Sequence, residues 1–89
     1  MRPTAPDRAL RDVGRRIAEL RVARGFTQEE LSAQADCSLK YWQAIEAGRE
    51  NLTVKSLVRI ANLLWVRPAD LWKPPKSRHV RRGRPPARD

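Results

Sequence analysis

The segment 39–47 carries side chains that suit contact with a nucleic-acid duplex. Drawn as a helix, it puts Lys40, Gln43 and Ala44 on one side, with Leu39 at the edge of that side. Lys40 and Gln43 can hydrogen-bond to base edges in a major groove. Leu39 and Ala44 can contact thymine methyl groups. The alternative interpretation is an ordinary solvated helix face.

Three further polar residues suit contact with phosphate. Gln28 falls in the first turn of a predicted helix, where backbone N–H groups and the helix dipole favour an anion. Arg49 and Asn51 follow the 39–47 segment and could bind neighbouring phosphates through side chain or backbone. The alternatives are that Gln28 is only a helix former and that Arg49 is a solvated loop charge.

Glu46 falls on the apolar side of the same segment, next to Ile45. An unpaired buried carboxylate is unfavourable, so Glu46 requires a cation. Arg21 is the candidate because it adjoins the Ile17 and Leu20 stripe of an earlier predicted helix. We therefore predict an ion pair between Arg21 and Glu46.

Local signals place these side chains on helices. Thr27 with Glu30 forms the pattern of a capping box, and Ser38 and Thr53 are further N-cap candidates. Gly48 suits a left-handed helix end. The apolar periodicity predicts an all-α chain of five helices, at about residues 7–24, 28–35, 39–47, 54–64 and 66–72. The second and third, joined by a tight turn, form a helix-turn-helix pattern whose second helix can enter a major groove.

The positive charge is unevenly distributed. The chain has 89 residues and a net charge of +9. Residues 1–72 carry 12 basic and 9 acidic side chains, whereas residues 73–89 carry 7 and 1. We divide the chain into a flexible leader with the start of the first helix (1–12), a folded domain (13–72) and a basic tail (73–89). Apart from Val80 and Ala87, the tail consists of polar, basic, glycine and proline residues, and it is expected to be disordered when free. A polyanionic partner is the natural inference.

The inventory of reactive side chains argues against an enzyme. One cysteine, Cys37, and one histidine, His79, are present, and the carboxylates are scattered. Cys37 is interpreted as a small apolar residue rather than a reactive thiol. No metal site and no cofactor are predicted. Signal-peptide and membrane-spanning patterns are not found, so a bacterial cytoplasmic protein acting at the nucleoid is expected.

Several separated motifs resemble the Cro/C1-type helix-turn-helix family, also called the XRE family. They are Arg16-Ile17-Ala18-Glu19-Leu20-Arg21, Gly25-Phe26-Thr27-Gln28-Glu29-Glu30-Leu31 and Ile45-Glu46-Ala47-Gly48. The following Gly48-Arg49-Glu50-Asn51-Leu52-Thr53 is similar to the loop of small bacterial repressors and restriction-modification controller proteins.

The resemblance implies a compact, five-helix, lambda-repressor-like domain that acts as a dimeric transcription regulator on a palindromic operator. It also implies that Arg21 and Glu46 form the structural ion pair of the family and that Gln28 contacts phosphate. The positions it suggests for contact with bases are Ser38, Leu39, Lys40 and Ala44.

Some residues depart from the family pattern. Trp42 replaces a smaller aliphatic residue, and Trp65 replaces the usual glycine after the fourth helix. A bulky residue is disfavoured in a left-handed cap, so either that helix ends differently or packing compensates. Leu63, Trp65 and Trp72 exceed what a small core obviously needs. Some of them are predicted to line a homodimer interface, the alternative being that all three complete the monomer core.

The basic tail contains Arg81-Arg82-Gly83-Arg84-Pro85-Pro86, which resembles an AT-hook. Arg81, Arg82 and Arg84 could therefore enter the narrow minor groove of A·T-rich DNA. The alternative is a tail that adds only non-specific affinity through counterion release. For the whole chain, the rival function is an antitoxin or another protein-interaction module on the same fold, with a toxin as partner.

Overall fold

In a computed structural model, residues 2–77 form four α-helices followed by a short 3₁₀ helix. The predicted all-helical, compact domain is confirmed, and residues 2–77 contain no strand. The helices are α1 (Pro6–Ala23), α2 (Gln28–Gln34), α3 (Leu39–Glu46), α4 (Val54–Leu63) and the 3₁₀ helix (Pro68–Trp72). Within this described part of the chain, no helix has the length and apolar character needed to cross a membrane.

The fifth helix differs from the prediction. It is a single stretch of 3₁₀ helix over Pro68–Trp72, within the predicted segment 66–72, and Pro68 is at its first position. The Asp70 carboxylate accepts a hydrogen bond of 3.0 Å from the Arg67 backbone N–H, and the Asp70 N–H donates to the Arg67 carbonyl at 2.9 Å. These i to i+3 contacts lie within a segment of 5 residues, and proteins use the 3₁₀ helix in such short pieces.

The starts of α2, α3 and α4 follow from local side-chain capping. The Thr27 hydroxyl accepts from the Glu30 N–H at 3.0 Å, and the Glu30 carboxylate accepts from the Thr27 N–H at 2.8 Å. Ser38 and Thr53 cap α3 and α4 in the same way, although without the reciprocal carboxylate. Each hydroxyl satisfies a backbone donor that the first turn leaves unpaired.

All four α-helices end on a residue in the left-handed region. These residues are Gly25 (φ 78°) after α1, Asp36 (φ 55°) after α2, Gly48 (φ 76°) after α3 and Trp65 (φ 57°) after α4. After α4 the Val66 N–H donates to the Ala61 carbonyl at 3.0 Å, which is the long hydrogen bond of a Schellman motif. Glycine adopts this geometry without steric strain and aspartate tolerates it, whereas a bulky residue such as Trp65 is strained there.

The core lies where the four helices and the 3₁₀ helix meet. The largest fully buried side chains are Trp42, Ile17, Leu31, Leu64 and Leu71. The apolar stripe predicted for α1 packs against α3 and the 3₁₀ helix, and the stripe predicted for α4 packs mainly against the 3₁₀ helix. Trp42 is accommodated at the centre of the core with none of its surface exposed.

Two glycines let α1 cross very close to the end of α3. A Cβ atom added to Gly14 would lie 2.6 Å from the Glu46 carbonyl oxygen and 2.7 Å from that of Ile45. A Cβ atom added to Gly48 would lie 2.7 Å from the Arg11 Cα. Backbone therefore contacts backbone at this crossing, and a larger side chain at either position would separate the helices.

The chain continues along α1 after the 3₁₀ helix. The Glu19 carboxylate accepts hydrogen bonds from the backbone N–H groups of Lys76 and Ser77 at 3.0 and 3.1 Å. Pro75, which directly precedes Lys76 in this segment, is buried. The first residues assigned to the basic tail thus lie on the domain, whereas Arg81, Arg82 and Arg84 lie outside the described residues.

Candidate nucleic-acid interface

The outer side of α3 is open to solvent. Lys40 and Gln43 are exposed, and Leu39 is exposed at its edge. Ala44 is half-buried, so its methyl group lies at the base of this surface. We call Ser38, Leu39, Lys40, Gln43 and Ala44 the α3 surface. It offers hydrogen-bond donors and acceptors beside apolar groups, the combination needed to read base edges.

Ser38 has a structural role at the start of this surface. Its Oγ accepts a hydrogen bond from the Tyr41 N–H at 3.0 Å, which caps α3. Because Ser38 is also exposed and the hydroxyl hydrogen is not used in that bond, it can still donate to a second group.

Tyr41 is an exposed aromatic residue that the sequence analysis did not single out. Its side chain is 41% exposed on the flank of α3. It borders a groove of about 480 Å³ between α3 and α4, whose other lining residues include Cys37, Leu52, Arg59 and Leu63. Its position between Lys40 and Trp42, at the boundary of the polar and apolar sides, is the sequence signal that could have identified it.

A buried carboxylate, Glu46, fixes α3 on the rest of the domain. Arg21 Nε donates to Glu46 Oε2 at 2.7 Å, and Arg21 Nη2 donates to Glu46 Oε1 at 3.1 Å. Trp42 Nε1 donates to Oε2 at 2.6 Å, and Gln28 Nε2 donates to Oε1 at 2.9 Å. Four N–H groups from α1, α2 and α3 therefore converge on one carboxylate. We call Arg21, Gln28, Trp42 and Glu46 the Glu46 cluster.

The two arginine contacts are those of a bidentate ion pair, as predicted from the burial of Glu46. Glu46 is only 7% exposed, and so is Arg21. Arg21 Nη1 also donates to the Phe26 carbonyl oxygen at 2.9 Å, which ties the loop before α2 to the same pair. The buried charges are thus satisfied by opposite charge and by hydrogen bonds, which is what burial requires.

Gln28 connects the Glu46 cluster to the α3 surface. Its Oε1 accepts a hydrogen bond from Gln43 Nε2 at 3.4 Å, while its Nε2 donates to Glu46. A primary amide has two N–H groups, so one remains for another acceptor. Sequence reasoning considered Gln28 as a phosphate contact or a helix former, and missed its place in the cluster.

The loop after α3 presents two exposed polar residues. Arg49 and Asn51 are both exposed. The Arg49 backbone N–H donates to the Ala44 carbonyl at 2.9 Å. Because its backbone N–H is already hydrogen-bonded, Arg49 can contact a phosphate only through its side chain.

The three apolar residues predicted for an interface do not behave alike. Leu63 is half-buried against the core, whereas Trp65 is 80% exposed and Trp72 is 63% exposed. The alternative that all three complete the monomer core is wrong for the two tryptophans.

Trp65 ends α4 in the left-handed conformation. Its indole is exposed, so packing in the core does not offset the backbone strain. Stabilisation comes from hydrogen bonds to the backbone of this turn: the Arg24 side chain donates from Nη2 to the Trp65 carbonyl at 2.9 Å, and the Val66 N–H donates to the Ala61 carbonyl.

Cys37 lies half-buried against the core in the turn before α3. Burial raises the pKa of the Cys37 thiol, and the neighbouring Asp36 charge raises it further. The thiol is therefore protonated at neutral pH and is a poor nucleophile. Residues 2–77 contain no group of three His, Cys, Asp or Glu side chains arranged to hold a metal ion.

Comparison with known proteins agrees with this geometry. A family model described as a helix-turn-helix domain matches residues 12–71. The chain therefore belongs to the helix-turn-helix family of DNA-binding transcriptional regulators. It is 40% identical over 62 residues to an uncharacterised HTH-type transcriptional regulator, y4dJ, of Sinorhizobium fredii, which covers 70% of this chain and 80% of the relative.

Two solved structures have a similar fold. One is the restriction-modification controller protein C.AhdI of Aeromonas hydrophila, with a TM-score of 0.66, 31% identity, and coverage of 70% of this chain and 94% of that one. The other is the hypothetical transcription factor NHTF of Neisseria, with a TM-score of 0.68, 28% identity, and coverage of 85% and 88%.

Proposed function

We propose that the protein is a sequence-specific transcriptional regulator, of repressor or controller type, that reads the major groove with α3. The observation that carries the proposal is the pairing of the exposed α3 surface with the Glu46 cluster behind it. The similarity to a restriction-modification controller protein supports the controller type.

Each residue of the α3 surface has a role in this proposal. Lys40 and Gln43 hydrogen-bond to base edges, and Ser38 can donate from its hydroxyl. Leu39 and Ala44 contact thymine methyl groups. Since these apolar positions carry no donor or acceptor, sequence discrimination rests mainly on the two long polar side chains.

Phosphate contacts position α3 over its site. The Gln28 amide, held by Glu46, directs its remaining N–H group to a phosphate, and the side chains of Arg49 and Asn51 contact neighbouring phosphates. Because Gln28 also accepts from Gln43, a phosphate contact and a base contact share one hydrogen-bonded chain. This linkage restricts the orientation of Gln43 before the protein meets DNA.

The protein is further proposed to act as a homodimer on a palindromic operator. Trp65 and Trp72 provide the exposed apolar surface, and Leu63 lies two residues before Trp65 along the chain. Trp65 adopts a strained backbone conformation while its indole remains in solvent, and association with a second copy would bury that indole. Two α3 helices would then read half-sites about 34 Å apart, one turn of the duplex.

Selection of bound duplexes from a random pool, followed by titration of variants, tests the base contacts. Lys40→Ala and Gln43→Ala should change preference among sequences by about 1–3 kcal/mol per contact. The matched control is Lys76→Ala, which removes the same charge from the segment along α1. If wild-type protein binds no duplex, or if the selected sequence is unchanged in both α3 variants, the proposal is wrong.

The dimer is tested by sedimentation at about 10–50 μM, a range in which weak association becomes visible. Trp65→Asn removes the indole but keeps a residue that tolerates positive φ, so the fold should persist. We expect the wild type to sediment as a dimer and Trp65→Asn as a monomer, while Val54→Ala, at another exposed apolar position, stays dimeric. A monomeric wild type would contradict the dimer.

The same tryptophans favour one alternative function, a protein-interaction module such as an antitoxin. In that case Trp65 and Trp72 would contact a toxin rather than a second copy. A toxin gene next to this one, together with loss of toxin binding in Trp65→Asn, would favour the alternative. Loss of self-association alone would favour the dimer.

The basic tail is proposed to add affinity for DNA. Removing residues 78–89 leaves the segment bound to Glu19 intact and should lower affinity for every duplex. The salt dependence of the binding constant should flatten by about 0.9 per lost phosphate contact. A larger loss on A·T-rich duplexes would indicate an AT-hook mode for Arg81, Arg82 and Arg84, and an unchanged salt slope would exclude the tail from DNA.

A further inference from the structure

Arg11 of α1 lies against the end of α3, beside the loop proposed to contact phosphate. The Cβ atom of a residue at position 48 would lie 2.7 Å from the Arg11 Cα and 2.9 Å from its Cγ. The first methylenes of the Arg11 side chain therefore run over Gly48. Since Arg49 follows Gly48 directly, the Cα atoms of Arg11 and Arg49 are within about 8 Å of each other.

The close crossing of the helices sets this position. Gly14 brings α1 against the carbonyl oxygens of Ile45 and Glu46. Gly48 lets Arg11, one turn earlier in α1, pack against the end of α3. With side chains at both positions, α1 would stand farther from α3 and its N-terminal half would diverge from the loop. The two glycines therefore place Arg11 next to the residues 49–51.

Arg11 is available for an external anion. Its side chain is exposed. Among residues 2–77 it has no ion-pair or hydrogen-bond partner, in contrast to Arg8, whose Nε lies 4.0 Å from an Asp12 carboxylate oxygen. A guanidinium in this position can bind a phosphate through two N–H groups.

We propose that Arg11 is a further phosphate-binding residue and that the N-terminal half of α1 extends the interface beyond the helix-turn-helix. This inference rests on the proposed function. Arg11 and Arg49 would contact neighbouring phosphates from either side of Gly48, so that the end of α3 is held against the backbone by cations from two different elements. These contacts would strengthen binding to all sequences equally, because phosphates carry no sequence information.

Salt-dependent titration tests the role of Arg11. Wild type, Arg11→Gln and Arg49→Gln are titrated with a selected duplex and an unrelated duplex between about 50 and 200 mM salt. Glutamine keeps the methylenes over Gly48 and removes only the charge. Arg67→Gln is the matched control, since Arg67 is exposed and lies past the opposite end of α4. Arg11→Lys tests for rescue by a cation.

We expect Arg11→Gln to weaken binding to both duplexes and to flatten the plot of log K against log salt by about 0.9 per protomer. Arg11→Lys should keep the wild-type slope, and Arg67→Gln should leave it unchanged. If Arg49→Gln flattens the slope and Arg11→Gln does not, the inference about Arg11 is wrong while the proposed function stands.

The other outcomes are equally distinct. A lower melting temperature for Arg11→Gln, with the slope unchanged, would mean that Arg11 only complements the C-terminal dipole of α3, which also overturns the inference. Wild-type protein that binds neither duplex at the lowest salt concentration would overturn the proposed function itself.

Discussion

Replacing Glu46 with glutamine is the sharpest test of how α3 is held. The two side chains have the same shape, but the amide has one oxygen and one NH₂ group. Each carboxylate oxygen of Glu46 accepts two N–H groups, from Arg21 Nη2 and Gln28 on one side and from Arg21 Nε and Trp42 on the other. Either orientation of the amide therefore puts its NH₂ group against an Arg21 N–H group, and rotation of the Gln28 amide can relieve only the contact with Gln28.

The size of the effect follows from these contacts. Two hydrogen bonds to a charged acceptor are lost, at about 1.5–3 kcal/mol each. Arg21 also remains buried without a counter-charge, and breaking such a pair typically destabilises by about 3–5 kcal/mol in all. A domain of this size has a free energy of unfolding of only about 3–5 kcal/mol. We expect Glu46→Gln to be largely unfolded at 25 °C, with Tm lowered by at least about 12 °C.

Thermal melts followed by far-UV circular dichroism measure the effect. Glu29→Gln is the matched control, because Glu29 is exposed on α2, and its change should stay within about 0.5 kcal/mol. Arg21→Met combined with Glu46→Gln removes the orphaned charge. That double variant should be more stable than the sum of the single effects predicts, by about 0.5–3 kcal/mol.

The reasoning would be refuted by a Glu46→Gln protein that melts within about 1 kcal/mol of the wild type. Additive effects of the two substitutions in the double variant would refute the direct coupling of Arg21 and Glu46. Persistence of the fold with loss of duplex binding would instead mean that the Glu46 cluster orients α3 without being needed for stability.

Three further predictions concern single positions. Gly14→Ala should destabilise the protein by about 1–3 kcal/mol in urea melts, because the added Cβ would lie 2.6 Å from a backbone oxygen. In an uncrowded helix the same change stabilises by about 0.5–1 kcal/mol, so a stabilised variant would contradict the close crossing. Ser38→Ala should destabilise the protein by about 1 kcal/mol through loss of the α3 cap, and Ser38→Asn should retain most of the stability. Equal losses of stability in the two variants would argue against the cap. The Lys73 side chain, followed by the Arg67 backbone N–H, lowers the pKa of Asp70 from 3.8. The ionised Asp70 side chain therefore stabilises the fold above that value, and this contribution disappears as the pH falls through the lower pKa of the folded state. The fluorescence of Trp72 should report this acid transition, and Asp70→Asn should abolish it.

Local signals in the sequence were sufficient for the helix starts and for the two sides of α3. Thr27 and Ser38 cap helices through atoms three residues away, so the sequence carries the whole interaction. The burial of Trp42 and Ile45 follows in the same way from helical spacing. The pairing of Glu46 with a cation could be anticipated because a buried carboxylate requires one.

Other features could not be read locally because they depend on how the helices pack. The contact from Trp42 Nε1 to Glu46 is an exception, because it lies within one helix and its spacing of four residues is a local signal. The Gln28 contact to the same carboxylate requires α2 and α3 to meet at one particular angle, which no local pattern specifies.

The sequence by itself determined which segments are helical, where α2, α3 and α4 begin, and which side of α3 is polar, since capping and periodicity act within a few residues. Only the tertiary structure decided that α1 crosses α3 at Gly14 and Gly48, that Arg11 reaches the loop after α3, and that Trp65 and Trp72 stay in solvent. Such features arise when residues distant in the chain come together, and their separations are set by the packing of whole helices rather than by the residues next to them.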